Sequence, residues 1–370
     1  MKNKMTKLFV SMALAVLLQA AAFAQGSKAW VWVNNPSSPT STPPPAYQFN
    51  SSGGVNRVVR LAAGHHLVEL PGLGVSGGTV QVTAYGGSHF CNIERWSPSG
   101  NTQQVFVKCY TSTGAPFDGR FTLLFYKERR GRNFDDAYLW ANLETAASGI
   151  PDRAYQWNSN GPQNSVRRLG QGHYEVFLPA INVAGDIIRN GGTVQVSAYG
   201  SVPRHAMVQG WMSGPNGITV RVNTFDATGN DADAKFTLSF MTDVAVGTSD
   251  TGDWLDMIGA FLWANKLTPR ECYAPAPWYQ FNNSGSRRSA NICRQSVGSY
   301  QVILPFEFPN AKTTALVSAY GTEKNYCSIR NWSSDNAGGT SVNVECRNAN
   351  GRFVDSMFTL LYLTDASALL

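Results

Sequence analysis

The sequence predicts an all-β fold, in which three tandem antiparallel β-sandwich repeats of jelly-roll or Ig-like type follow a cleaved signal peptide. An ordered set of motifs recurs three times, and the segments inside each copy show strand periodicity. Gly and Pro separate these segments at intervals of about 8–12 residues, as in sandwiches and barrels. Of the 370 residues 43% are apolar and 15% charged, which suffices for buried cores and excludes a disordered chain.

The first 24 residues have the features of a secretory signal peptide. Three lysines in the first seven residues precede the apolar run Leu8–Leu18, and Ala22-Phe23-Ala24 matches the small-x-small cleavage pattern. We expect the mature chain to begin at Gln25 and to be secreted, to the periplasm or the medium. The alternative is an uncleaved anchor, but this run is short, and no later run reaches the roughly 18 apolar residues of a transmembrane segment.

The charge of the mature chain argues against nucleic acid as a partner. Residues 1–24 carry three lysines and no acid, so 27 basic and 24 acidic residues remain and the net charge falls from +6 to +3. Arg129, Arg130 and Arg132 form a tight basic cluster, but Asp135 and Asp136 follow it at once. We interpret this cluster as a solvated linker rather than a site for nucleic acid or anionic lipid.

Five motifs recur in one order and define the repeats. They are Trp-x-Asn, Tyr-Gln-aromatic-Asn, Ala-Tyr-Gly, a single Trp, and Phe-Thr-Leu. The three copies start them at Trp32, Trp140 and Trp263 and end them at Phe121, Phe236 and Phe358. The predicted organisation is a signal peptide at 1–24 and repeats at 25–130, 131–246 and 247–370.

Within the first copy the pattern is that of strands. Thr79–Tyr85 alternates apolar and polar residues, which predicts a strand with one buried face. Gln104–Tyr110 and Phe121–Tyr126 are rich in β-branched and aromatic residues. Arg57–Leu61 and His65–Leu70 flank a Gly-containing turn and predict a hairpin. Each copy therefore predicts seven or eight strands.

An ordered series of residues also connects the chain to a known group. In the first copy it comprises His65, Ala84-Tyr85-Gly86, Cys91, Trp96, Cys109, Asp118 and Phe121-Thr122-Leu123. This series resembles a β-repeat that occurs in tandem in uncharacterised secreted bacterial proteins. The resemblance covers all three copies, although the second lacks both Cys. It implies a secreted bacterial β-repeat protein, and because that group has no established activity it implies no functional residue.

The six Cys predict three disulfides, as is usual in an exported chain. Cys91 and Cys109 would face each other across a hairpin, and Cys327 and Cys346 hold the same places in the third copy. The second copy has Ala206 and Thr224 there, so both members of the pair are lost together. Elimination leaves Cys272–Cys293. A metal site is the alternative, but no Cys-x-x-Cys spacing exists, so we expect neither metal nor cofactor.

Three further positions recur in every copy and are interpreted as structural. An Asp precedes each Phe-Thr-Leu, an Arg precedes the turn Gly of each hairpin, and a Trp follows each Ala-Tyr-Gly. They are Asp118, Asp233, Asp355; Arg60, Arg168, Arg294; and Trp96, Trp211, Trp332. We expect an Arg–carboxylate pair or a turn-capping Asp, and a core Trp. The alternative is three equivalent ligand or calcium sites.

We predict no catalytic residue. Gly74-Val75-Ser76-Gly77-Gly78 matches the nucleophile elbow, but that motif needs a helix after it and a strand follows here. No carboxylate pair recurs between copies. The chain is therefore predicted not to be an enzyme.

The loops after Ala-Tyr-Gly differ between copies and are the predicted binding residues. They contain polar and aromatic side chains at His89, at Arg204 and His205, and at Lys324 and Tyr326. Variable loops on a shared scaffold are typical of recognition sites, although neutral drift gives the same pattern. The favoured hypothesis is a secreted non-enzymatic protein that binds a glycan or another surface polymer through these loops. The alternatives are a structural or assembly protein of the cell surface, and a hydrolase with a site between repeats. The sequence leaves the ligand and the oligomeric state open.

Overall fold

The computed structural model describes residues 27–128, 135–181, 191–242, 257–282, 289–306, 311–334 and 338–365. The predicted signal peptide and the basic cluster at 129–132, interpreted above as a linker, lie outside these ranges. The described part is all-β, which confirms the predicted class. Its helices are single 3₁₀ turns at Pro45–Tyr47, Arg153–Tyr155 and Pro277–Tyr279. None of the helices in these ranges has the length and apolar character of a membrane span.

The strands form three groups, which are described here as repeats 1, 2 and 3. Repeat 1 contains β1 (Ser27–Val33), β2 (Thr40–Ser41), β3 (Gln48–Asn50), β4 (Arg57–Ala62), β5 (His65–Pro71), β6 (Thr79–Ala84), β7 (Phe90–Ser99), β8 (Thr102–Tyr110) and β9 (Phe121–Lys127). Repeat 2 contains β10 (Asp136–Ala141), β11 (Ser148–Gly149), β12 (Gln156–Asn158), β13 (Ser165–Gly170), β14 (His173–Pro179), β15 (Thr193–Tyr199), β16 (Arg204–Gly214), β17 (Gly217–Asp226) and β18 (Lys235–Met241). Repeat 3 contains β19 (Met257–Ala264), β20 (Gln280–Asn282), β21 (Asn291–Ser296), β22 (Ser299–Leu304), β23 (Thr313–Tyr320), β24 (Asn325–Ser334), β25 (Thr340–Asn348) and β26 (Met357–Asp365).

Each repeat consists of two antiparallel sheets. The inner sheets have the strand orders β3-β1-β9-β6, β12-β10-β18-β15 and β20-β19-β26-β23. The outer sheets have the orders β2-β4-β5-β8-β7, β11-β13-β14-β17-β16 and β21-β22-β25-β24. In repeat 1, Val31, Val80 and Phe125 of the inner sheet form one buried cluster with Val68 and Ile93 of the outer sheet. Each repeat is therefore a sandwich with its own core.

The three repeats close into a ring. The outer sheet of each repeat meets the inner sheet of the next through one parallel contact, and the three contacts, here called seams 1–2, 2–3 and 3–1, are Ile93 with Tyr199, Val208 with Tyr320 and Ile329 with Tyr85. At each seam the Gly of Ala-Tyr-Gly donates its backbone N–H to the carbonyl of the preceding repeat, from Gly200 to Ile93, Gly321 to Val208 and Gly86 to Ile329, at 2.8 to 2.9 Å. The Ala-Tyr-Gly motif is thus the junction between repeats.

The inner sheets are buried on both faces, which corrects the prediction for Thr79–Tyr85. All six residues of β6 are buried, including the polar Gln81 and Thr83. One face of each inner sheet covers its own core. The other face lies against the pseudo-threefold axis of the ring, where Trp30, Tyr138 and Phe261 occupy equivalent positions in one shared cluster. The alternation was real, but its polar face meets other repeats rather than water.

The buried polar residues of the inner sheets form hydrogen bonds from the inner sheet of one repeat to that of the next. The Ser197 hydroxyl donates to Gln81 Oε1 at 2.8 Å and accepts the backbone N–H of Val82 at 2.9 Å. Ser318 of repeat 3 makes the same contact with repeat 2, and its hydroxyl donates to Gln195 Oε1 at 3.1 Å. Satisfied hydrogen bonds of this kind remove most of the cost of burying a polar group and fix the register between the joined elements.

The three disulfides are Cys91–Cys109, Cys272–Cys293 and Cys327–Cys346, the pairs that comparison of the copies predicts. Cys91–Cys109 and Cys327–Cys346 join neighbouring strands of an outer sheet. Cys272–Cys293 fixes the segment before the 3₁₀ turn of repeat 3 to strand β21. All three bridges lie within one repeat, so none of them joins two repeats.

Candidate functional site

The recurring Arg and Asp form a salt bridge inside each repeat. In repeat 3, Arg294 donates from Nε and Nη2 to the two oxygens of Asp355, at 2.8 Å each. Asp355 also accepts the backbone N–H of Gly298 at 3.0 Å and the hydroxyl of Tyr300 at 3.2 Å. Repeats 1 and 2 have the same pairs, Arg60 with Asp118 and Arg168 with Asp233. The carboxylates are therefore occupied by donors of the protein itself.

These donors keep the carboxylates ionised. Partial burial opposes the charge of Asp355, but the hydrogen bonds from Arg294 and Gly298 outweigh it and hold the pKa of Asp355 below its ordinary value. The pKa of Asp118 is lowered against the same opposition, and that of Asp233 is lowered chiefly by its hydrogen bond from Arg168. Such charge-assisted, bidentate pairs tie the hairpin turn to the segment before the last inner strand.

We expect Asp355→Ala to destabilise repeat 3 by about 1–3 kcal/mol, because the guanidinium and the turn N–H lose their acceptor. Urea denaturation followed by circular dichroism measures this loss. Arg57→Ala is the matched control, since Arg57 forms an exposed pair with Glu69 at 3.3 Å and its loss should cost no more than about 0.5 kcal/mol. A stable Asp355→Ala protein that has lost affinity for calcium would instead identify a ligand site.

The structure corrects the exposure of the predicted binding loops. His89, His205 and Tyr326 are buried, at 3%, 6% and 6% exposure. Arg204 is partly exposed and donates from Nη1 to the carbonyl of Pro203 at 3.1 Å. Lys324 is exposed, and its Nζ lies 3.2 Å from a carboxylate oxygen of Asp231 in repeat 2. The predicted binding residues are therefore divided between a buried set, His89, His205 and Tyr326, and an accessible set, Arg204 and Lys324.

Three equivalent strand residues, two of which belong to the predicted binding set, meet on the ring axis. Phe90, His205 and Tyr326 are equivalent residues of the three repeats. The His205 ring lies 3.9 Å from the ring of Phe90 and is stacked on Tyr326 at 4.9 Å, measured between ring centroids. Burial lowers the pKa of His205 to about 4, so the imidazole is neutral at pH 7. This axial cluster closes one end of the contact between the repeats.

The cavity beside the axial cluster is too small for a glycan or an organic cofactor. It has a volume of about 50 Å³ and is lined by residues of all three repeats, among them Thr83, Ser197 and Ser318. Sites for small organic ligands usually measure several hundred Å³ or more, whereas about 50 Å³ suits a few water molecules. Elsewhere in the described ranges, no group of three or more His, Cys, Asp or Glu is placed to hold a metal ion.

The recurring Trp residues lie in the seams, where the core of one repeat continues into the next. Trp96 is in contact with Trp140, Tyr155 and Tyr199 of repeat 2, at ring-centroid distances of 5.4 to 6.0 Å. The equivalent clusters are Trp211 with Trp263, Tyr279 and Tyr320 in seam 2–3, and Trp332 with Trp32, Tyr47 and Tyr85 in seam 3–1. The indole N–H groups of Trp96, Trp211 and Trp332 also donate hydrogen bonds, for example from Trp332 to Thr313 Oγ1 at 2.9 Å.

The seam aromatics were visible in the sequence as repeat markers only. Trp-x-Asn, Tyr-Gln-aromatic-Asn and Ala-Tyr-Gly each contribute one ring to every seam, while the Trp after Ala-Tyr-Gly comes from the preceding repeat. The first three rings of each set remain partly exposed, which are Trp32, Tyr47, Tyr85; Trp140, Tyr155, Tyr199; and Trp263, Tyr279, Tyr320. The ring therefore carries three equivalent aromatic surfaces along its seams.

Comparisons with protein-family models, with curated proteins and with solved structures find no match for this chain.

Proposed function

We propose that the protein is an exported, non-enzymatic binding protein that recognises a neutral glycan or similar surface polymer through the aromatic surfaces of its seams. The observation that supports this is the threefold recurrence of partly exposed Trp and Tyr rings on one rigid ring. Flat aromatic faces with a polar edge suit the apolar faces and hydroxyls of sugars. Three weak sites on one chain would gain affinity for a polymer that engages more than one of them.

Closure of the ring favours binding over assembly. When head-to-tail contacts close into a ring, both contact surfaces of every repeat are occupied. When they do not close, the unoccupied surfaces at the two ends can bind further copies and form filaments. Here seam 3–1 closes the set within one chain, so the surface that joins the repeats is not available to join further chains. The assembly alternative would need a different surface.

Export is proposed from the signal-like residues 1–24 and fits the three disulfides of the described part. The bonds hold hairpins and one loop within single repeats. They suit a protein that works in an oxidising compartment, where disulfides persist.

Affinity electrophoresis of the exported chain in gels that contain β-glucan, xylan, mannan or galactan tests the function. We expect at least one of these neutral polymers to retard the folded protein and a polymer of uronic acids to leave its mobility unchanged. If circular dichroism shows a folded protein that none of the neutral polymers retards, and a glycan array is also blank, the proposal is wrong.

A further inference from the structure

Repeat 3 carries an exposed Trp that the other repeats lack. The 3₁₀ turn beside each seam reads Pro45-Ala46-Tyr47 in repeat 1, Arg153-Ala154-Tyr155 in repeat 2 and Pro277-Trp278-Tyr279 in repeat 3. Trp278 is 56% exposed, while Ala stands at its place twice. The fold forms the same turn without this indole, so the turn itself does not require it.

Trp278 extends the aromatic surface of seam 2–3 outward. Ring centroids follow one another from Trp211 to Trp263 at 5.5 Å, from Trp263 to Tyr279 at 4.3 Å, and from Tyr279 to Trp278 at 6.0 Å. In this seam Trp211 is itself partly exposed, whereas its equivalents Trp96 and Trp332 are buried. Seam 2–3 therefore presents the largest exposed aromatic surface of the three described seams.

A disulfide that repeats 1 and 2 lack holds this turn in place. Cys272–Cys293 fixes the segment six residues before Trp278 to β21, and the adjacent Tyr273 exchanges backbone hydrogen bonds with Ile292 at 2.8 and 2.9 Å. The Gln280 side chain, just after the turn, donates to the carbonyl of Pro275 at 2.6 Å. An anchored turn loses little further freedom when a ligand binds, which favours affinity.

The chemistry of the surface points to an uncharged ligand. Among the described residues, no cation lies over the rings of Trp211, Trp263, Trp278, Tyr279 or Tyr320. Recognition of a cation by these rings would require several exposed rings that surround it, but they pack against one another edge to face or tilted, and Trp278 is the one that is more than half exposed. The Trp278 indole is 56% exposed and stands at 70° to the ring of Tyr279, so it presents a face on which one sugar residue of a neutral polysaccharide can stack while its hydroxyls stay in water.

We propose that seam 2–3 is the principal glycan site and that Trp278 is the residue that makes it so. The inference rests on the proposed function and locates it on one of three otherwise equivalent seams. A sugar residue of a neutral polysaccharide would stack on Trp278, and its neighbours would contact the exposed parts of Tyr279 and Trp263.

Binding of the polysaccharide identified by electrophoresis is then measured for Trp278→Ala by isothermal titration. We expect the affinity to fall at least about tenfold, as for an aromatic residue that dominates an interface. Stability should be unchanged, because the variant restores the Ala of repeats 1 and 2. Met212→Ser is the matched control, since Met212 is 61% exposed near the same seam and its equivalents Ser97 and Ser333 are serines.

Ala46→Trp supplies the converse test. It creates Pro-Trp-Tyr in seam 3–1, and we expect the number of polysaccharide segments bound per chain to rise. Unchanged affinity in Trp278→Ala, or a loss equal to that of Met212→Ser, would overturn the assignment to Trp278 and leave the proposed function intact. If the parent protein binds no neutral polysaccharide, the proposed function fails and the assignment fails with it.

Discussion

Trp332→Ala is expected to open the ring between repeats 3 and 1. The chain runs directly from repeat 1 to 2 and from 2 to 3, but repeats 3 and 1 meet only through non-covalent contacts, since each disulfide lies within one repeat. Trp332 is 7% exposed and touches Trp32, Tyr47 and Tyr85 across this seam. Removing a buried indole usually costs about 3–5 kcal/mol.

Two measurements distinguish ring opening from simple unfolding. Urea denaturation by far-ultraviolet circular dichroism gives the loss of stability, and small-angle X-ray scattering should show a larger radius of gyration before the sheets unfold. Trp278→Ala makes the same chemical change at an exposed site and should shift stability by no more than about 0.5 kcal/mol. Equal urea midpoints for the two variants would show that the seam contributes little.

Acid is expected to destabilise the ring through His205. Burial lowers the pKa of His205 to about 4 from an ordinary value of 6.5. In the unfolded chain the imidazole of His205 therefore binds a proton from about pH 6.5 downward. In the folded protein the same imidazole stays neutral until about pH 4. The contribution of the neutral His205 imidazole to the free energy of unfolding is complete above pH 6.5. This contribution declines as the pH falls from 6.5 to 4, and about 2 kcal/mol of it is lost at pH 5.

His205→Phe is the matched variant, because repeat 1 has Phe90 at the equivalent position. Urea midpoints measured from pH 7.5 to 5 should depend less on pH in this variant than in the parent. Some dependence should remain, since burial also lowers the pKa of His66 and of His89. The Asp pairs titrate lower, and their lowered pKa values make them lose stability only as the pH falls through the acidic range below pH 5. Parallel curves for parent and variant would contradict the role assigned to His205.

The sequence by itself predicted much of the local structure of each repeat, although repeats 1 and 2 have nine strands where seven or eight were predicted. Strand periodicity predicted β5, β6, β8 and β9 to within a few residues, because alternation and β-branched composition are local signals. The disulfide pairs followed from the joint absence of two Cys in repeat 2. The recurring Asp and Arg predicted a structural pair, because a carboxylate and a guanidinium that recur together can satisfy each other's charge and hydrogen bonds without a ligand.

The contacts between repeats were decided by the tertiary structure alone. The alternating pattern of β6 predicted that one face of the strand is exposed to solvent. The loops at His89, His205 and Tyr326 were likewise interpreted as accessible to a ligand. Both expectations were wrong because a polar residue in a sequence can face either water or a neighbouring polar side chain. Closure of the ring buries the polar face of β6 together with His205 and Tyr326, whereas His89 packs against Phe117 and the carbonyl of Arg120 in its own repeat. Ring closure depends on how three sandwiches fit together over more than 100 residues of separation, as between Gln81 and Ser197. No local pattern encodes that fit. Ring closure also gives Trp96, Trp211 and Trp332 a role that the sequence did not indicate. Each was predicted to fill the core of its own repeat, and each also packs against aromatic residues of the next repeat.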